Sequence, residues 1–188
     1  MQAFDSLSRD IQQYIYDKGW PSLTHIQNAA IKQVANTDHN LILSAPTASG
    51  KTEAAFIPAL NSVEDWETGL KVLYISPLKA LINDQFQRIS ELSAYLDIPI
   101  TPWHGEVSQA QKKKVVNQPK GILLITPESI EGMLVNRPGK AQHLFKGVEW
   151  IIIDELHSFL GTERGVHLQS LLQRISQFMQ APRFIAMS

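Results

Sequence analysis

Short apolar, β-branched runs recur along the chain between segments of helical period. They are Leu41-Ile42-Leu43, Val72-Leu73-Tyr74-Ile75, Ile98 to Trp103, Ile122-Leu123-Leu124-Ile125, Ile151-Ile152-Ile153 and Phe184-Ile185-Ala186-Met187. Several are continuous rather than alternating, the pattern of strands buried on both faces of a parallel sheet. Helix candidates lie between them at Leu78 to Tyr95, Gln109 to Val116, Glu128 to Leu134 and Gly165 to Met179. In the last, Leu168, Leu171, Leu172, Ile175 and Met179 share one face, a core stripe. Two more, Leu7 to Asp17 and Thr24 to Ala35, precede the first strand, with Thr24 placed to cap the second. The turn-rich Asn136-Arg137-Pro138-Gly139 reads as a loop. Strand–helix alternation predicts an α/β fold, a doubly wound and mostly parallel sheet flanked by helices, with ligands at the carboxyl ends of its strands. The expected division is a helical segment over 1–38 followed by the sheet domain over 39–188.

Composition adds limits rather than chemistry. At 188 residues, 44% hydrophobic and 19% charged, the chain suits one ordinary domain. A domain of that size buries roughly 70% of its unfolded surface without metals or disulfides. The 17 basic and 18 acidic residues nearly cancel, so net charge points to no polyanion partner. Cysteine is absent, which excludes disulfides and thiolate metal sites and suits a reducing compartment. No apolar run approaches the ~18 residues of a membrane span, and Met1-Gln2-Ala3-Phe4-Asp5 lacks the order of a signal peptide. The expectation is a cytoplasmic protein with no membrane partner.

Chemistry enters at Ala45-Pro46-Thr47-Ala48-Ser49-Gly50-Lys51-Thr52, between the first apolar run and the helix-favouring Glu53-Ala54-Ala55-Phe56. A strand, a small-residue loop ending in Gly-Lys-Thr and a helix make a phosphate cradle, because a helix start offers unpaired N–H groups to an anion. Thr47, Ala48, Ser49 and Gly50 would form the cradle, with Lys51 a point charge on the outer phosphates and the Thr52 hydroxyl a ligand for Mg²⁺. The usual opening glycine of the pattern is replaced by Ala45. The second stretch, Ile151-Ile152-Ile153-Asp154-Glu155-Leu156-His157, delivers two adjacent carboxylates to a strand end. Asp154 would hold Mg²⁺, and Glu155 would orient and deprotonate an attacking water. An Asp-Glu after a strand is usually structural; in chain order after a Gly-Lys-Thr loop it reads as catalytic.

Together these stretches resemble the DExH branch of superfamily 2 nucleic-acid helicases, nearest its large helicase-related subgroup. The likeness extends over Tyr74 to Leu81, Ile125-Thr126-Pro127-Glu128-Ser129 and Glu163 to Gln169, in the family's order. It implies a RecA-like phosphate-loop domain that binds ATP and Mg²⁺. It also implies that Ser76 to Leu81 (with Pro77, Lys79 and Ala80), Gly105-Glu106 and Thr126-Pro127-Glu128 contact the backbone of one nucleic-acid strand, DNA rather than RNA. Such binding is salt-sensitive and weakly sequence-specific. Gln27 resembles the family's adenine-reading glutamine, although Leu23 stands where a proline is common in the DEAD-box pattern. His157 would link nucleotide and nucleic-acid sites. Trp103 reads as core before base platform, Phe4 as a helix-packing residue, and Lys112-Lys113-Lys114 as a solvated helix face. Arg164 is within reach of a phosphate in that arrangement.

Phe184 to Ser188 resembles a strand running into the family's Ser-Ala-Thr coupling motif, of which Ser188 is present. The resemblance therefore implies a second RecA-like domain with an arginine finger, which can be worth ~10³–10⁵ in rate. The reading is the first motor domain of an ATP-dependent helicase or translocase. An ATP-switched nucleic-acid clamp and a duplex-pumping subunit of a restriction, repair or defence assembly stand as alternatives. The isolated 188-residue chain is expected to hydrolyse ATP negligibly and to unwind nothing, which a strand-separation assay checks.

Overall fold

A computed structural model describes residues 2–46 and 49–188. Six parallel strands form one sheet in the order β1-β6-β5-β2-β4-β3: β1 Leu41–Leu43, β2 Gly69–Ile75, β3 Ile100–Trp103, β4 Lys120–Ile125, β5 Trp150–Ile153 and β6 Arg183–Met187. Eight helices accompany them among the described residues: α1 Arg9–Asp17, α2 His25–Asn36, α3 Lys51–Ser62, α4 Lys79–Tyr95, α5 Gln109–Asn117, α6 Pro127–Asn136, α7 Pro138–Phe145 and α8 Glu163–Ser176. Every strand seen in the apolar pattern is present. Ile98 and Pro99 precede β3 rather than belonging to it, because Asp97 turns the chain at φ 55.

The sheet is covered on both sides, which is why its central strands are apolar at every position rather than at alternate ones. Val72, Tyr74, Ile122, Leu124, Trp150, Ile152 and Ile185 pack with residues of α1 to α4 on one face. Leu70, Leu73, Ile75, Leu123, Ile125, Ile151 and Ile153 pack with α6, α7 and α8 on the other. Residues Ala3 to Val34 contribute to the first of these clusters, so the N-terminal helical segment shares a core with the sheet. α1 is seated on α4 by Tyr14, edge-on to Tyr95 at 5.3 Å, and by the Tyr95 hydroxyl donating to Asp17 at 2.9 Å.

One expectation fails. Asn136-Arg137-Pro138-Gly139 is no loop but a single-residue break at Arg137, after which Pro138 opens α7. Proline is well suited to a first helical turn, where its missing N–H has no partner to lose. Ala141, Leu144 and Phe145 of α7 are then buried in the second cluster.

Charged side chains pin helices to strand ends. Arg183 at the start of β6 donates to the carbonyls of Val34, Thr37 and His39, closing the carboxyl end of α2, and lies 4.4 Å from the Trp150 ring centroid. A cation there also complements the helix dipole. Glu131 of α6 joins α8 through Arg174, whose Nη1 donates at 3.0 Å, and through His167 Nε2 at 3.0 Å. The Arg174 guanidinium, helped by His167, holds the Glu131 carboxyl at about 2, below its ordinary 4.5. A depressed carboxyl stabilises the fold above its unfolded value and loses that contribution as pH falls toward its folded one. The stability difference between the native protein and Glu131→Gln is therefore expected to be full above about pH 5 and to close between 4.5 and 2, as read by chemical denaturation across that range.

Candidate functional site

The carboxyl ends of β1, β5 and β6 form the candidate nucleotide site. β1 leads into the loop before α3, and Gly50 takes the capping position at φ 83, a left-handed conformation that favours glycine. No side chain caps α3, so the amides of its first turn point at the loop unclaimed by any side chain. Ser49 Oγ is buried there without a hydrogen-bond partner among the described residues. A bare helix start and an orphaned hydroxyl are what a bound phosphate satisfies. Thr47 and Ala48, placed in the cradle by the sequence, lie outside the described residues.

Lys51 Nζ donates to the Ala45 carbonyl at 2.5 Å and to the Ser188 carbonyl at 3.0 Å. It thereby bridges the phosphate loop and the end of β6. Ser188 is held in register there, its amide donating to Leu43 O at 3.0 Å and its carbonyl accepting from Ala45 N at 3.4 Å.

β5 ends in the two carboxylates. Asp154 is 6% exposed and accepts two hydrogen bonds, from Tyr74 Oη and, at 2.9 Å, from the Glu155 amide. Burial raises its pKa, opposed by those hydrogen bonds and by the charge of Lys51. Tyr74 stands beside it on β2, fully buried and stacked on Phe56 of α3 at 5.6 Å; burial and the neighbouring carboxylate push its phenol up. Glu155 has left-handed backbone, φ 48 and ψ 46, a conformation that costs a non-glycine residue about 1 kcal/mol or more. That turn aims its side chain at His157, whose Nε2 lies 3.1 Å from Glu155 Oε2 and whose Nδ1 lies 3.3 Å from Ser188 Oγ. A relay from the carboxylate pair to β6 is thus continuous.

Thr52 is 4% exposed on the first turn of α3. With Asp154 it supplies only hydroxyl and carboxylate oxygens, and no group of three or more His, Cys, Asp or Glu forms a metal cluster among the described residues. A small set of hard oxygen ligands fits Mg²⁺, which keeps several waters and takes the rest of its shell from substrate phosphates. A divalent ion there would also offset the cost of burying Asp154.

Gln27 is 4% exposed and forms a capping box with Thr24. Its Oε1 accepts from Thr24 N at 2.9 Å, its own amide N donates to Thr24 Oγ1 at 3.4 Å, and its Nε2 donates to Gly50 O at 3.5 Å. A Cβ on Gly50 would come within 2.5 Å of that Nε2, a second reason for glycine. The structure so brings Gln27 onto the phosphate loop. A cavity of about 620 Å³ opens alongside, lined by Thr24, His25, Ile26, Ile42, Ala45 and Ser49. Phe4 packs against the core formed with the N-terminal helices.

Three further strand-end loops meet near the other half of the sheet. Pro77, Lys79 and Ala80 surround the start of α4, whose capping position Leu78 offers no side-chain acceptor. Gly105 and Glu106 follow β3, and the Glu106 carboxylate pairs with Lys79. Thr126 caps α6 through Ser129 N at 3.3 Å, with Pro127 and Glu128 in its first turn. Arg164 of α8 ties two of these loops, donating to Pro77 O at 2.8 Å and Glu128 Oε1 at 2.7 Å. Its neighbour Gly165 is required by space, since a Cβ would meet Phe159 O at 2.0 Å. Sequence reasoning missed the Tyr74 contact; the one polar tip in the apolar run Val72 to Ile75 was its only signal, because a buried phenol needs a partner. Arg164, expected within reach of a phosphate, braces two of the loops expected to hold the backbone.

A parallel sheet with a phosphate loop after its edge strand and acidic residues at the end of β5, one strand removed across β6, defines the RecA-like class of nucleotide-binding domain. The DEAD/DEAH box helicase family matches residues 24–188, and the chain belongs to that family. It is 30% identical over 194 aligned positions to the ATP-dependent helicase Lhr-Core of Methanocaldococcus jannaschii, covering 94% of this chain and 22% of that protein. Among solved structures, Mycobacterium smegmatis helicase Lhr bound to ssDNA and AMP-PNP superposes with a TM-score of 0.87 at 27% identity, over 100% of this chain and 25% of that one. The DUF1998 helicase MrfA bound to DNA and AMPPNP gives 0.84 at 28% identity, over 98% and 26%. The chain spans between about a tenth and a quarter of the length of the curated relatives it matches. No helix among the described residues is long and apolar enough to cross a membrane.

Tyr74→Phe keeps the ring against Phe56 but removes one of the two hydrogen bonds accepted by Asp154. It is expected to cost about 1–3 kcal/mol in chemical denaturation, the range for stranding a buried acceptor.

Proposed function

We propose that this chain is the ATP-binding first motor domain of an ATP-dependent helicase or translocase acting on single-stranded or tailed DNA. Residues 39–188 would be the first RecA-like domain, with 1–38 carrying the base-reading glutamine. The observation that carries the reading is the phosphate loop and the Asp154-Glu155 pair converging on Ser188, through Lys51 on one side and His157 on the other. Membership of a helicase family and likeness to two helicases solved with DNA and a nucleotide analogue support it.

In this reading ATP lays its phosphates on Ser49, Gly50 and the bare start of α3, and Lys51 exchanges its two carbonyls for the outer phosphate oxygens. Thr52 and Asp154 would hold Mg²⁺, which supplies charge neutralisation on those oxygens. Tyr74 and the Glu155 amide fix the Asp154 carboxylate. Glu155 orients a water for in-line attack and takes its proton. Adenine occupies the cavity beside α2, where Gln27 turns its amide from Gly50 to the base edge; an amide can both donate and accept there. The strand backbone lies across the starts of α4 and α6 and the Gly105-Glu106 turn. A second RecA-like domain completes the site, and closing and reopening against it moves the strand. The absence of cysteine fits a cytoplasmic setting.

The test is ATP hydrolysis by the full-length protein alone, with single-stranded DNA and with single-stranded RNA, beside Glu155→Gln. Stimulation by DNA above RNA, abolished in the variant with ATP still bound, is expected. Equal or greater stimulation by RNA would reassign the track. ATP binding without stimulation by either polymer would replace the motor by an ATP-switched clamp.

A further inference from the structure

The chain is near neutral overall, with 17 basic and 18 acidic residues, yet the charged residues that line one hollow on its surface are all cations. It measures about 190 Å³ and is lined by Trp103, Lys112, Lys113, Asn117, Arg137 and Lys140 together with Gln109 and Val116. No carboxylate lines it, and none of its four cations has a salt-bridge partner among the described residues. Lys113, Arg137 and Lys140 are exposed. Lys112 is half-buried, its ammonium 5.7 Å from the Trp103 ring centroid. The three-lysine run that reads as a merely solvated face therefore contributes two side chains to a formed concavity. Elsewhere on the chain, Lys18, Lys71, Lys79, Arg88, Lys120, Arg164 and Arg174 are each matched to a carboxylate.

Its position follows from topology. β3 is the edge strand, and Trp103 at its end is in register with Ile125, the last residue of β4. The next residues on those two strands lead into the Gly105-Glu106 and Thr126-Pro127-Glu128 loops. α5, which carries Lys112 and Lys113, follows the first loop directly. α6 follows the second, and Arg137 and Lys140 stand where it breaks into α7. A polyanion laid across the two loops and leaving the sheet over its β3 edge meets the hollow next.

We propose that this hollow binds the phosphodiester backbone of the single strand as it leaves the sheet, beyond the strand-end loops. Unmatched cations in a concave site, with an indole holding one of them in place, suit a phosphate backbone in its charge and in its indifference to base sequence. The inference rests on the nucleic-acid reading above and adds a contact to it.

The test uses the full-length protein with Lys113, Arg137 and Lys140 each replaced by Gln, singly and together. All three side chains are exposed, so the fold is not at stake. Binding of a labelled, mixed-sequence single-stranded DNA is titrated from 50 to 200 mM salt. The triple variant is expected to bind more weakly, with a log–log salt slope shallower by about 2, at ~0.7 per phosphate contact on a single strand. Each single variant is expected to account for about a third of that change, and ATP hydrolysis without polymer is expected to stay as in the native protein. A triple variant with native affinity and native slope would overturn the hollow while leaving the motor reading intact. If the native protein binds no single strand at any salt, the proposed function falls and this inference with it.

Discussion

A parallel sheet buried on both faces has room for polar chemistry only at its ends, and that constraint orders the whole molecule. Along β2 and β5 nearly every side chain is withdrawn from solvent into one of two hydrophobic clusters. Hydrogen bonding along the ladder satisfies the backbone, and helices seal both faces. What remains polar is driven to the carboxyl edge, where six strands release their loops side by side. The phosphate loop, the acidic pair, Ser188 and the three backbone-binding candidates are neighbours for this reason, although up to 137 residues separate Lys51 from the carbonyl it holds.

Much of this was legible in the chain because it rests on local rules. Short apolar runs, several of them continuous, marked all six strands, and the small-residue loop ending at Lys51 marked a helix start. Thr24 reads as a cap and is one. The miss at Arg137 has a physical cause: proline and glycine together signal a turn, and only the burial of Ala141, Leu144 and Phe145 reveals that a new helix begins. The contacts that organise the site were less legible. Tyr74 to Asp154, Arg164 to Pro77 and Gln27 to Gly50 join residues 23 to 87 positions apart, and each depends on the packed sheet to exist.

The site also concentrates cost. Glu155 is held left-handed, Asp154 is buried as an acid, and Ser49 keeps a hydroxyl without a partner among the described residues. None of these benefits folding, and in the proposed reading a phosphate would satisfy the Ser49 hydroxyl and a divalent ion would pair with Asp154.

Lys51 carries a consequence of its own. Its ammonium cannot serve the Ser188 carbonyl and an incoming phosphate with the same protons. In the proposed reading an anion in the cradle would compete for those protons, and the tip of β6, where the Ser188 hydroxyl touches His157, would keep only its backbone bonds to Leu43 and Ala45. Occupancy at one strand end would thus be felt at its neighbour as a lost side-chain tether rather than a gained contact.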